Sequence, residues 1–236
     1  MSYEHFSYYY DSLMDPAFYE DYVAFINKYA TYKSVLELGC GTGEIAIRLA
    51  KDNKDVIATD LSDDMLYVAK EKAMAENVDV TFKRVDMTNF EGYQQTDLVL
   101  CLCDSLNYVL DASDVKDVFA NVYQALKMNG TFIFDVDSLY KCNVILNDYH
   151  EESHDEDFDF SWDVESDGAG CIKHHVVIVD RENDDCVDEI HIQKTWPVEI
   201  YGEMLEEAGF SYTVFSDFDA YKEECERVIF VCRKVR

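Results

Sequence analysis

The sequence predicts an α/β fold: a doubly wound, mostly parallel seven-stranded sheet with an inserted antiparallel β meander. Three observations carry this. From residue 34 to residue 136, short apolar runs alternate with amphipathic helical patterns, the arrangement that gives parallel strands joined by right-handed crossovers. A turn containing Gly39, Gly41 and Gly43 follows the first apolar run directly. From about residue 158 to residue 194 the apolar period falls to two, interrupted by Gly and Asp, as antiparallel neighbours on short turns require. A chain of 236 residues suits one large α/β domain with a modest insertion. Residues 1–236 are therefore expected to form a single domain, with a helical cover over 1–33 and the insertion over 139–196.

The elements follow in order. Residues 1–33 look helical and aromatic, with Phe18, Tyr19, Tyr22, Phe25 and Ile26 recurring at helical spacing. Residues 34–38 form a short buried strand, and 44–51 a helix after the glycine turn. Residues 56–60 are a second strand. Ser62 can cap a helix in which Met65, Leu66, Ala69 and Ala73 share one face, because three- and four-residue steps return to the same side. Residues 78–85 are a third strand. Residues 97–103 are continuously apolar after Asp97, as a strand covered on both faces should be. Val115, Val118, Phe119, Val122, Ala125 and Leu126 mark the next helix, which Asn129-Gly130 ends before a strand at 131–136. In the insertion, Phe158, Phe160, Trp162 and Val164 alternate, as do Ile172, His174, Val176 and Ile178, and later Ile190 and Ile192. Phe158, Phe160, Trp162, Ile190 and Ile192 are expected to share one apolar face, which covers an acceptor pocket or forms a dimer surface. Residues 198–208 return to helix, with Gly209 in the C-cap position, and 211–216 and 227–233 are the last two strands.

Bulk properties narrow the function. The chain carries 49 acidic residues against 20 Lys and Arg, a net charge of −29. Such a surface repels phosphate backbones, whose affinity for proteins comes largely from Lys and Arg, so nucleic-acid partners are disfavoured. No apolar run reaches the 18 residues or more of a membrane helix. The first ten residues lack the basic start and apolar stretch of a secretory signal, so the expected location is cytoplasmic. Several of the eight cysteines lie inside apolar runs, where a thiol behaves as a small hydrophobe. Cys101 and Cys103 have no second Cys/His pair nearby at ligand spacing, and no metal site is expected there. Residues 150–159 hold His150, His154 and six acids. They are read as a solvated loop in which nothing fixes ligand geometry.

The informative segment runs from Glu37 through Gly39-Cys40-Gly41-Thr42-Gly43. It joins a strand to a helix at the carboxyl edge of the sheet, where open α/β sheets bind ligands. The Gly-x-Gly-x-Gly spacing differs from the dinucleotide fingerprint Gly-x-Gly-x-x-Gly. A carboxylate at Glu37 would repel a pyrophosphate and suits a ligand with an amino group. Asp60, ending the second strand, can accept hydrogen bonds from two ribose hydroxyls. Asp86-Met87, after the third strand, can take an adenine amine and pack on the ring face.

In that order these residues resemble the class I S-adenosylmethionine-dependent methyltransferases, with a Rossmann-like sheet, over roughly residues 34–138. Asn129-Gly130 stands where that family usually carries Pro-Gly-Gly. Tyr3, Phe6, Tyr10-Asp11 and Leu13-Met14 resemble small bacterial members whose N-terminal helix covers the cofactor. Residues 191–210 are similar to the tail of the same group, which includes small-molecule N-methyltransferases. The resemblance implies S-adenosylmethionine as cofactor. Its candidate contacts are Tyr10, Tyr19, Glu37, Gly39, Cys40, Gly41, Gly43, Asp60, Leu61, Met65, Asp86, Met87 and Cys103. Tyr10, Tyr19 and Tyr22 are also ordinary core or lid aromatics, and Asp104-Ser105 can equally cap the next helix. The Asn/Asp-Pro-Pro-aromatic signature of nucleic-acid amino-methylating enzymes is absent from the sequence, which with the acidity favours a small or cationic acceptor. Tyr108 and His191 are the catalytic candidates, although His191 also fits an ordinary strand position. A methyltransferase of a protein or RNA partner, and a non-catalytic domain that binds the cofactor, are the alternatives. A homodimer is an open alternative as well.

Overall fold

The structure is a computed structural model, and it describes residues 6–93, 95–154, 158–181 and 185–235. Two helices, α1 (Phe6–Leu13) and α2 (Pro16–Tyr29), precede the first strand. Asp15 caps α2 by accepting the Ala17 amide at 2.9 Å, and Pro16 occupies the first turn, where its missing N–H costs nothing. The alternation then runs β1 (Ser34–Leu38), α3 (Glu44–Lys51), β2 (Asp55–Asp60), α4 (Asp63–Ala75), β3 (Thr81–Arg84), β4 (Thr96–Cys101), α5 (Ala112–Ala125) and β5 (Leu126–Asp137). A short 3-10 turn, Ser105–Tyr108, lies between β4 and α5.

The insertion is a four-stranded antiparallel sheet: β6 (Tyr149–His154), β7 (Phe158–Ser166), β8 (Cys171–Asp180) and β9 (Asp185–Lys194). The chain returns through α6 (Val198–Ala208) to β10 (Phe210–Ser216), β11 (Asp219–Ala220) and β12 (Arg227–Lys234). The main sheet has the order β11-β10-β12-β5-β4-β1-β2-β3. The seven expected strands are all present, and the two-residue β11 adds an eighth at the edge. β1 to β5 pair in parallel, and β12 and β10 enter antiparallel.

Strand parity explains why both faces of this sheet are apolar. Leu36, Leu38, Val99, Cys101, Phe132 and Phe134 point to the layer of α5 and α6, packing with Val118, Phe119, Val122, Tyr201 and Leu205. Val35, Leu98, Leu100 and Ile133 point to α2 and α3, against Tyr22, Phe25, Ile26, Ile45 and Leu49. Each fully buried side chain of this size stabilises by roughly 1.5–3 kcal/mol.

Three expectations change. The acidic stretch expected as a loop contains strand β6, which pairs with β7 from Tyr149↔Val164 to His154↔Asp159. Its charges mask the period. His150 meets Asp163 at 2.7 Å and His154 meets Asp159 at 2.6 Å across the strands. Asp155, Glu156 and Asp157 lie outside the described residues. No group of three or more His, Cys, Asp or Glu among the described residues could hold a metal ion.

Second, Ile190 and Ile192 do not share a face with Phe158, Phe160 and Trp162. The register Trp162↔Val176↔Glu189 and Val164↔His174↔His191 puts Val187, Glu189, His191 and Gln193 on the buried inner face. Ile190 and Ile192 are 52% and 44% exposed on the outer one. The odd-numbered positions of β9 are inward because β8 buries Ile172, His174, Val176 and Ile178, and antiparallel pairing fixes the rest.

Third, β4 ends at Cys101, and Cys103 and Asp104 both adopt left-handed backbone, φ 54° and 52°. Strain of this kind in non-glycine residues costs on the order of 1–3 kcal/mol each. Asp104 makes no side-chain cap on the turn that follows. Its carboxylate is used elsewhere. No helix among the described residues is long and apolar enough to cross a membrane.

Candidate active site

The site grows from the ends of β1, β2 and β4. Glu37 shares the α3-facing side of β1 with Val35, so its carboxyl is buried at 3% exposure beneath the helix that the glycine loop starts. Burial, and then the nearby Asp60 carboxylate, push its pKa up to about 8, while a hydrogen bond from the Ala46 amide pulls the other way. Glu37 Oε2 has no hydrogen-bond partner among the described residues.

Gly39 has φ 65°, and a Cβ there would stand 2.6 Å from Ser105 Cβ and 3.4 Å from Met87 Cε, closer than a side chain allows. Gly41 has φ 51°, its N–H donates to Asp60 Oδ2 at 2.8 Å, and a Cβ there would meet nothing within 4 Å. The loop is thus packed on one side by the turn after β4 and open above Gly41. Gly43 starts α3 in the left-handed region. Cys40 is buried, with its thiol 3.7 Å from the Gly41 carbonyl.

Asp60 accepts a second backbone amide, Ser62 N at 2.9 Å on Oδ1. Burial raises its pKa and the backbone hydrogen bonds oppose that. The Leu61 amide is a third backbone donor to this carboxylate, which has about four lone-pair sites in all. Asp86 is exposed, and its Oδ1 accepts the amide and hydroxyl of Thr88 at 2.9 and 2.7 Å, leaving Oδ2 for another donor. Leu61 is 58% exposed beside Asp60, and Met65 is buried on α4.

Helix α1 lies across this edge. Thr42, inside the glycine loop and 2% exposed, donates its hydroxyl to Asp11 at 2.6 Å. Lys72 of α4 pairs with the same carboxylate and with Glu44. Tyr9 donates to Asp180 of β8 at 2.6 Å and meets Phe158 edge-on at 6.0 Å. Tyr9 and Tyr10 pack with Met65 and the inner-face residues Val176 and Val187, so α1 joins the glycine loop, α4 and the second sheet. Tyr3 lies outside the described residues. Tyr19 belongs to α2, where the Arg48 guanidinium covers its ring at 5.2 Å. It is a core aromatic with its cation–π partner already supplied by the protein.

The turn after β4 connects the loop to the second sheet. Ser105 donates its hydroxyl to the Gly39 carbonyl at 2.9 Å. Asn107 donates to the Lys194 carbonyl at 2.8 Å and accepts the Asp137 amide at 3.0 Å. Asp104 receives Gln193 Nε2 at 2.7 Å and the Arg227 guanidinium at 3.1 and 3.2 Å. Arg227 also pairs with the fully buried Asp135. The chain of donors continues outward. Gln193 Oε1 contacts His174 Nε2 at 2.9 Å, and Trp162 Nε1 donates to His174 Nδ1 at 3.0 Å. Because the indole can only donate, His174 Nδ1 must accept, and the proton sits on Nε2.

The Arg227 guanidinium, ahead of Lys141, holds the Asp104 carboxyl below its ordinary range against the opposing effect of burial. Burial, then Asp104, lifts Asp137 to about 6, although Lys141 lies 2.9 Å away.

His191, 7% exposed on the inner face of β9, lies 3.1 Å from Glu189 Oε2 and packs edge-on to Tyr108 with ring centroids 6.1 Å apart. Tyr108 is 44% exposed. The structure therefore brings together Glu37, the glycine loop, Asp60, Met87, Cys103 and Tyr10 through shared contacts, and pairs Tyr108 with His191. Leu61 and Asp86 stay at the exposed periphery, while Tyr19 is buried within electrostatic reach of Tyr10 and Cys103. The sequence alone did not single out Thr42, Glu189, Gln193 and Arg227. The alternation of polar residues on β9 was the available signal, but only β8 reveals which parity is buried. Two surface clefts lie elsewhere. One, of about 610 Å³, runs among α2, α3 and α4; the other, of about 380 Å³, is on the outer face of the second sheet.

A family model described as methyltransferase domain matches residues 35–130. A candidate methyltransferase of Geobacillus sp. (strain WCH70) is 38% identical over 99% of this chain and 100% of its own length. Among solved structures, an S-adenosylmethionine-dependent methyltransferase from Clostridium acetobutylicum ATCC 824 superposes with TM-score 0.88 at 23% identity, covering 98% of each chain. The sugar N-methyltransferase KedS8 from Streptoalloteichus sp. ATCC 53650 superposes with TM-score 0.77 at 20% identity, covering 100% of this chain and 94% of its own.

Proposed function

This chain belongs to the class I S-adenosylmethionine-dependent methyltransferases, and from that premise we propose that it methylates a small-molecule acceptor held between the turn after β4 and the inner face of the second sheet.

The residues at the loop suit the cofactor. An ammonium group would satisfy the buried, unpartnered oxygen of Glu37. Asp60 would accept from the ribose, and Met87 would flank the adenine with Asp86 Oδ2 beside it. When bound, S-adenosylmethionine supplies a methyl carbon on a cationic sulfur that departs as a neutral thioether, so no residue must protonate the leaving group. The remaining work of the protein is to hold the acceptor in line and exclude water. Helix α1 and the second sheet would do so.

The observation that carries the small-molecule reading is the inner face of β9. Glu189, His191 and Gln193 are 4–7% exposed there, and Gln193 is tied to the turn by the 2.7 Å bond to Asp104. A roof fixed in this way encloses polar groups that a protein or RNA surface could not reach without displacing it. The fold also serves a protein named for sugar N-methylation, so it accommodates acceptors of this size.

The test supplies methyl-labelled S-adenosylmethionine to the protein with a bacterial extract separated into low-mass, protein and RNA fractions. Label in the low-mass fraction is expected. Label confined to protein or RNA would replace the proposal with a macromolecular acceptor, and no label in any fraction would favour a cofactor-binding domain without turnover.

A further inference from the structure

We propose that Glu189 and His191 form a recognition site for an ammonium group, so that the acceptor is an amine. The inference rests on the acceptor position proposed above and specifies its chemistry.

Glu189 is 5% exposed, and its Oε2 makes no hydrogen bond among the described residues. The nearest basic group recorded for that oxygen is His191 Nε2, at 3.1 Å. A carboxylate oxygen withdrawn from water without a hydrogen bond is costly, and such atoms are normally paired. The neighbours of Glu189 on the same face locate it. Val187 packs with Met65 and Tyr10, His191 meets the Tyr108 ring, and Gln193 holds Asp104. Glu189 thus lies between the part of the sheet that covers the cofactor helix α4 and the part fixed to the turn after β4.

Charge points the same way independently. The chain carries a net −29, a field that attracts cations and repels anions. An anionic acceptor would meet Glu189 with like charge; an ammonium brings a counter-charge into the site with it, which a neutral alcohol does not.

The chemistry balances. The acceptor enters as R–NH3+, and one proton passes to His191 Nε2, where Glu189 stabilises the imidazolium. The freed nitrogen lone pair forms the bond to the methyl carbon while the carbon–sulfur bond breaks and its electron pair returns to sulfur. The product leaves as R–NH2+–CH3, beside a neutral thioether, and His191 passes its proton to solvent.

The experiment uses the full chain saturated with S-adenosylhomocysteine and three probes of matched size: propylammonium, propanol and propionate. Nuclear magnetic resonance follows labelled glutamate, histidine and tyrosine side chains. Propylammonium is expected to shift Glu189, His191 and Tyr108 in saturable fashion, and the other two probes to do so at least about tenfold more weakly. In Glu189→Gln, which keeps the shape, propylammonium affinity should fall about tenfold or more, while Glu189→Asp keeps part of it. Propanol or propionate binding at these residues as strongly as propylammonium would overturn the amine inference and leave the acceptor position standing. Failure of propylammonium to perturb any side chain, or unchanged affinity in Glu189→Gln, would overturn it too. Probes that bind but shift only side chains away from Glu189, His191 and Tyr108 would overturn the acceptor position itself. The wild-type comparison decides the matter even if Glu189→Gln fails to fold.

Discussion

The Asp60 carboxylate accepts the Gly41 amide at 2.8 Å, so the end of β2 and the loop after β1 form one hydrogen-bonded unit. The same carboxylate fixes the loop and is the group proposed to meet the ribose of the cofactor. Asp60→Ala should weaken S-adenosylhomocysteine binding by about tenfold to several hundredfold, through loss of charged hydrogen bonds. Asp60→Asn, which keeps one acceptor oxygen, should lose less. Calorimetry on folded protein reads both. Wild-type affinity in a folded Asp60→Ala protein would remove Asp60 from the site.

Arg227 is the cation between Asp104 and Asp135. Replacing it with Met would leave the buried Asp135 without its cation, facing the half-buried Asp104, a loss expected to cost roughly 3–5 kcal/mol of stability. Denaturant unfolding measures it. A cost under about 1 kcal/mol would mean that the pair behaves as a surface salt bridge and does not hold the turn.

His174 links the second sheet to Gln193 only while its Nδ1 is unprotonated, because Trp162 donates to that atom. Burial lowers its pKa below the ordinary 6.5. The folded state therefore binds fewer protons than the unfolded chain, and the stability from this group is present above 6.5 and lost as pH falls through the folded value. Melting followed by Trp fluorescence should drop on acidification below about pH 6.5. In His174→Gln that component of the drop should be absent. A variant with the same acid profile as the wild type would contradict the link.

The placement of the residues proposed to hold the cofactor was legible because it is local. Glu37 and Asp60 lie at the carboxyl ends of β1 and β2, Gly43 opens α3 and Asp86 follows β3, positions that the order of strands and helices alone supplies. On the proposed acceptor side, Tyr108 and His191 were named from the sequence, but the bonds that fix the turn were not. Asp104 meets Gln193 across 89 residues and Arg227 across 123, separations that no periodicity encodes. The face of β9 was misjudged because Ile190 and Ile192 look like core residues. Only the register with β8 turns them outward and brings Glu189 and His191 in. The strand β6 was hidden by charges that pair across strands instead of marking a loop.

The most direct measurement of the central claim is proton linkage at Glu37. Its carboxyl is pushed up to about 8, so below that pH the ligand-free protein holds it largely protonated. A cationic amino group beside Glu37 would favour the ionised form and release the proton. Calorimetric titration with S-adenosylhomocysteine at pH 6.5, in two buffers of different ionisation enthalpy, should therefore show one saturable site per chain and release of about one proton. Affinity should rise as pH increases toward 8, and Glu37→Gln should abolish both the release and the rise. NADH should give no binding heat. Binding of NADH in place of S-adenosylhomocysteine, or S-adenosylhomocysteine binding with no proton exchange in the wild type, would contradict the assignment of this loop.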